Sequence, residues 1–265
     1  MSPNGWPKKD ITYLPPNNKY RIDHQMHLQE HDERLSGLET IFHAPPFTNE
    51  MVRAIRLIAP QFDLTPDDQS RKFWEVDQNA TCWGEYEALE ALFSSMPKPQ
   101  KVLEIGPGMG RSLVFFTRKL GWENCELHAY EGTGKSTKYR LMGPRFEDSF
   151  CGNLELLQEV LEYNQMNNVT IHDAYQAPLD TLPGPFDFIY SFYSIGFHWA
   201  LEHFLEDILS LMNDHSIAVF IVPPSFTPFS ALHEIQHRII EWKTAWPKDA
   251  YLKMLVIGKS GLPDF

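Results

Sequence analysis

The stretch Lys101-Val-Leu-Glu-Ile-Gly106-Pro-Gly108-Met-Gly110-Arg111 decides how this chain is read. Val102 to Ile105 is a short apolar run of strand type, and it ends in glycines at every second position. Behind them Leu113, Phe116 and Leu120 recur at helical spacing. A strand that passes through a glycine turn into a helix is the setting in which backbone can approach a ligand closely. The spacing is G-x-G-x-G. A dinucleotide fingerprint needs its third glycine where this chain has Arg111.

Working outward, Leu127 to Tyr130 predicts a second strand, Val169 to Ile171 a third, Phe186 to Ser191 a fourth and Ser216 to Val222 a fifth. Leu154, Leu157 and Leu161 predict a helix, and so do Leu201, Leu205, Ile208 and Met212. Leu232, Ile235, Ile239 and Trp242 read as a long helix whose Trp242, with Trp246, is a candidate homodimer face, and Tyr251 to Gly258 reads as a last strand. Strands alternating with helices predict an α/β fold with a doubly wound, mostly parallel sheet. Upstream the pattern is helical. Thr48 is a plausible cap for the stripe Met51, Ile55, Ile58, and Asp67 or Asp68 can start a further helix that Pro97 and Pro99 close. The expected organisation is an extended arm over 1–22, a helical extension or lid over 23–98, and an α/β core over 99–265.

The glycine loop, with Glu104 two residues before its first glycine, resembles motif I of the class I S-adenosylmethionine-dependent methyltransferases, E/D-x-G-x-G-x-G. Three further landmarks follow in that family's order: Glu131 at the end of the second strand, Asp173-Ala174 after the third, and Phe186-Asp-Phe-Ile in the fourth. The resemblance implies S-adenosylmethionine as cofactor and a Rossmann-like core. It implies that Glu104, Gly106, Pro107, Gly108 and Gly110 surround the methionine part, that Glu131 and Gly132 meet the ribose, and that Asp173 and Ala174 lie beside the adenine, with Ser191 and Phe192 also at the cofactor. Two departures stand out. Residues 132–153 read as an insertion, and only one strand pattern follows the last long helix, where the family has an antiparallel pair.

Ligands of open α/β sheets bind at the carboxyl ends of the strands. The fourth strand continues into Phe192-Tyr-Ser-Ile-Gly-Phe-His198-Trp199, so His198 is the candidate general base, with an unperturbed pKa near 6.5. Tyr193 and Trp199, with Trp83 and Tyr86 from the extension, are candidate substrate-pocket walls. The expected reaction is methylation of a small molecule, with oxygen preferred as acceptor. An amine acceptor on a metabolite or peptide, a non-catalytic cofactor-binding subunit, and nicotinamide chemistry remain alternatives.

Other patterns carry less. Gly132-Thr-Gly-Lys-Ser-Thr137 lacks the first glycine of a phosphate loop, since position 129 is Ala129. Val222-Pro-Pro-Ser225 lacks the Asn or Asp of the motif found in amino-group methyltransferases acting on bases. His24, His27 and His31 would share a helix face, read here as a solvated face, so no metal is expected. With Lys plus Arg at 23 and Asp plus Glu at 35, the net charge of -12 disfavours nucleic acid and polyanionic partners. Three scattered cysteines, no apolar leader and no run long enough to cross a bilayer predict a cytoplasmic protein without a membrane partner.

Overall fold

The computed structural model describes residues 39–58, 64–132, 153–196, 199–243 and 251–265. The N-terminal arm, His24, His27, His31, the stretch 133–152, His198 and Trp246 lie outside them. Among the described residues, two helices precede the sheet. Helix α1 (Asn49–Ile58) starts where Thr48 Oγ1 accepts the Met51 N–H at 3.1 Å. Helix α2 (Asp68–Ser95) starts where Asp67 accepts the Ser70 N–H at 2.8 Å.

From there the chain alternates: β1 (Lys101–Ile105), α3 (Arg111–Lys119), β2 (Glu126–Glu131), α4 (Leu154–Tyr163), β3 (Val169–Asp173), β4 (Phe186–Ser191), α5 (Leu205–Ser210), β5 (Met212–Val222), β6 (Gln236–Lys243) and β7 (Tyr251–Gly258). The strands form one sheet in the order β3-β2-β1-β4-β5-β7-β6, with β1 to β5 parallel and β7 antiparallel between β5 and β6. The order reverses between β1 and β4, the place where doubly wound sheets open a crevice for ligands.

Side-chain alternation sends Val102, Leu127, Phe188 and Val219 into one core with α2, α3 and α4. Leu103, Ile105, Ile189 and Phe220 go into a second core with α5. The two faces are not covered alike. The link from β3 to β4 carries only a 3-10 turn, Leu179–Thr181. On that face His128, 3% exposed, puts Nδ1 2.8 Å from His172 Nε2 and Nε2 2.8 Å from Glu126.

Four sequence expectations need correction. The stretch read as a long helix is a 3-10 turn, Ser230–Glu234, followed by strand β6. Leu232, Ile235, Ile239 and Trp242 fit helical spacing, but the backbone groups of 236–243 are paired along β7 over the whole length of both strands. Two antiparallel strands, β6 and β7, therefore follow β5 where the sequence pattern predicts one. Trp242 is also not a dimer face: it is 8% exposed, and its ring lies 3.3 Å from where a Cβ on Gly84 of α2 would stand. The helix expected over 201–212 is shorter than its stripe, because Met212 already opens β5.

Candidate functional site

The glycine loop hangs from the sheet at its first residue, where the Gly106 N–H donates to the Tyr130 carbonyl of β2 at 2.8 Å. Gly106 has φ +71, and a Cβ there would stand 2.2 Å from Ser194, so the loop after β4 lies directly against it. Gly110, φ +76, caps α3 with no side chain, and Leu157 of α4 would lie 2.9 Å from a Cβ there. The Gly110 N–H donates to Pro107 O at 2.9 Å, closing the turn. These conformations and approaches are what glycine permits and other residues resist.

Three buried carboxylates surround the loop, each held differently. Glu104, at the end of β1, is fully buried. Its Oε2 accepts from Tyr190 Oη at 2.9 Å, and its Oε1 accepts from Ser112 Oγ in the first turn of α3. Burial pushes its pKa up to about 7 against those two hydrogen bonds. Glu104 thus joins β1, α3 and β4 beneath the loop. Glu131, at the end of β2, is 9% exposed. Its Oε2 accepts the Gly108 N–H at 2.8 Å and its Oε1 the Gly132 N–H at 2.9 Å. Burial raises it to about 7, opposed by the same two bonds.

The third carboxylate comes from α2. Glu85 is fully buried and meets Arg111, the first residue of α3, in a two-pronged contact of 2.6 and 2.9 Å. Arg111 Nη1 also lies 2.9 Å from Cys82 Sγ, and the guanidinium sits 5.8 Å from the centre of the Tyr193 ring. Burial raises the Glu85 pKa and Arg111 draws it back. Burial likewise works against the Arg111 charge, and Glu85 restores it. The short parallel geometry is that of an ionised pair. Tyr193 itself stands at φ +67, a strained conformation for a bulky residue.

The loop after β4 is pinned at several points. Ser191 Oγ donates to Ile105 O at 2.7 Å and accepts the Ile195 N–H at 2.9 Å. Trp199 N–H donates to Ser194 O at 3.0 Å, and Gly196 N–H to Trp199 O at 2.7 Å. Residues 191–196 and Trp199 are thereby tied to one another and to β1. Phe192 is 5% exposed and packs among Phe116 and Tyr190 in the core. At the other side of the loop, Asp173 Oδ1 accepts the Tyr175 N–H at 2.9 Å and Oδ2 accepts from Gln176 at 3.1 Å, while the Ala174 N–H is taken by Glu131 O at 2.8 Å.

Gly106, Pro107, Gly108, Gly110, Glu104, Glu131, Gly132, Asp173, Ala174 and Ser191 thus come together at the carboxyl ends of β1 to β4. Trp83 and Tyr86 do not join them. Trp83 packs edge-on to Phe115 at 5.3 Å, and Lys119 caps both rings at 4.3 and 4.9 Å, along the flank of α3 and away from its glycine end. The residues that α2 does present at the loop are Cys82 and Glu85. Sequence reading missed the Glu85–Arg111 pair and the contact of Ser194 with Gly106. The one available signal was a charged residue at the helix position where a fingerprint glycine would sit. Among the described residues no group of three or more His, Cys, Asp or Glu could hold a metal ion, and no helix is long and apolar enough to cross a membrane.

No protein-family model matches the chain, and no curated protein matches it. Solved structures similar to it include a precorrin-6y C5,15-methyltransferase from Geobacter metallireducens, 17% identical, covering 66% of this chain and 88% of that one at a TM-score of 0.45. The magnesium protoporphyrin IX methyltransferase of Synechocystis, with bound S-adenosylmethionine, is 14% identical over 81% of this chain and 98% of its own, TM-score 0.45. An S-adenosylmethionine-dependent methyltransferase from Aquifex aeolicus is 14% identical over 89% and 98%, TM-score 0.44. At such identities and scores the chemistry has to be read from the chain's own residues.

Proposed function

We propose that this chain is an S-adenosylmethionine-dependent methyltransferase acting on the oxygen of a small molecule, a single catalytic unit in which residues 23–98 cover the α/β core of 99–265. The observation that carries the reading is Glu131. Its buried carboxylate joins the second strand to the backbone N–H of Gly108 in the glycine loop. That places a pair of carboxylate oxygens beside the glycine turn, acceptors for the two hydroxyls a ribose diol would donate. The residues present therefore fit the cofactor. Gly106, Pro107, Gly108 and Gly110 would lie along its methionine part, Glu131 would accept from the ribose hydroxyls, and Asp173 would meet the adenine after releasing Gln176.

When bound, the cofactor supplies an electrophilic methyl group on a sulfonium. The chain's own contribution is alignment and proton handling. The loop after β4, fixed by Ser191 and Ser194 against β1 and Gly106, sets where the acceptor sits. His198 takes the proton of the acceptor hydroxyl as its oxygen attacks. Tyr193 and Trp199 bound the acceptor.

Titration calorimetry with S-adenosylhomocysteine and with NAD tests the cofactor, and Glu131→Ala tests the site. Binding of S-adenosylhomocysteine but not NAD, weakened at least tenfold in E131A, is expected. NAD binding alone, or no effect of E131A, overturns the reading. Slow turnover of S-adenosylmethionine that is lost in His198→Ala supports an enzyme with His198 as base. Tight binding with no turnover on any cell extract points instead to a non-catalytic subunit.

A further inference from the structure

An arginine is an odd choice for the first residue of α3. A helix N-terminus already carries positive potential, and a cation there is disfavoured. Burying that cation with a carboxylate adds a desolvation cost that a pair of apolar side chains would avoid. Yet Arg111 is 13% exposed and Glu85 0%, and the two meet in paired contacts. The guanidinium also backs Tyr193, whose neighbour Ser194 rests on Gly106. One side chain therefore ties α2, the glycine turn and the loop after β4 together. The charge of Arg111 would act directly on any ligand in that turn if Glu85 did not cancel it.

We propose that Glu85 is a charge-setting residue for cofactor selection. By neutralising Arg111 it keeps the glycine turn tolerant of a cationic sulfonium. This rests on the cofactor reading above. The consequence is specific. S-adenosylmethionine and S-adenosylhomocysteine share adenine, ribose, ammonium and carboxylate, and they differ by the sulfonium charge. Unmasking Arg111 disfavours the first more than the second. Unit charges about 10 Å apart at an effective dielectric of about 20 change an affinity by roughly tenfold. A role of Glu85 in packing alone would weaken both ligands alike.

The test measures dissociation constants of both ligands by calorimetry for wild type, Glu85→Gln, and the double variant Glu85→Met with Arg111→Met, which removes both charges. In E85Q the ratio Kd(S-adenosylmethionine)/Kd(S-adenosylhomocysteine) should rise about tenfold, and in the double variant it should return to the wild-type value. Equal weakening of both ligands in E85Q overturns the proposal. If E85Q does not fold, Glu85→Ala with Arg111→Lys, which keeps the cation and removes the carboxylate, must still raise the ratio. An unchanged ratio there overturns the proposal as well. Failure of the wild type to bind either ligand would count against the cofactor reading itself, and is thereby distinguished from failure of this inference.

Discussion

Replacing Gly106 with alanine probes the meeting of the glycine turn with the loop after β4. The residue has φ +71, where an L side chain costs about 1–2 kcal/mol. The added methyl would lie 2.2 Å from both Cβ and Oγ of Ser194, so one loop must move. Overpacking of that kind costs about 1–3 kcal/mol. G106A should therefore lose about 2–5 kcal/mol, seen in urea as a lower midpoint with an unchanged slope. Removing the obstruction separates the two contributions. In Ser194→Gly the nearest remaining atom is the Cα at 3.7 Å, an ordinary contact. The double variant should recover the overpacking share and keep only the backbone strain, giving a favourable coupling energy in the cycle of four proteins. Strict additivity, or a G106A midpoint equal to wild type, would show that the two loops do not touch and would remove the basis for seating the loop after β4 against the glycine turn.

Two further outcomes follow from buried polar groups. Asn79 of α2 accepts the Ile41 and Phe42 N–H groups at 2.9 and 3.0 Å and donates to Phe42 O at 2.8 Å, so Asn79→Ala leaves buried backbone unpaired and should cost about 2–5 kcal/mol in thermal or urea unfolding. Stability should also vary with pH in two opposing ways. Glu104 and Glu131, raised to about 7 by burial, contribute stability that is complete below their ordinary value of 4.5 and lost as pH rises through about 7. His128 and His172, lowered by burial, contribute stability present above 6.5 and lost as pH falls. Glu104→Gln should make the first slope shallower, with Glu131 keeping its share, and leave the second; urea midpoints from pH 5 to 8 that show the full wild-type slope in E104Q would refute the assignment.

Much of the fold was readable because β1 to β5 are short apolar runs bounded by turns, and Thr48 and Asp67 cap their helices by local chemistry. The failure at 232–242 is instructive. Leu232, Ile235, Ile239 and Trp242 repeat as a helix would, but Ile239 and Ile240 are β-branched neighbours, and pairing with β7 decides the matter. That partner begins only at Tyr251, past the end of the 232–242 stripe, so a reading of helical spacing within the stripe does not see it. The site shows the same division. Gly106, Gly108, Gly110, Glu131 and Asp173 announce themselves by position after strands. Glu85 does not, because its meaning comes from Arg111, and the side of α2 that faces the loop is set by packing. Trp83 and Tyr86 were the more conspicuous residues, and they serve the flank of α3.

The turn of Gly106 to Gly110 owes its shape to bonds within the chain: Gly106 to Tyr130, Gly108 to Glu131, Gly110 to Pro107. A molecule settling there meets backbone already in place, so association forfeits little chain entropy and needs no slow rearrangement before capture. Affinities measured at such a surface report the ligand more than the protein. Two ligands that differ by a single charge can then be compared as charges.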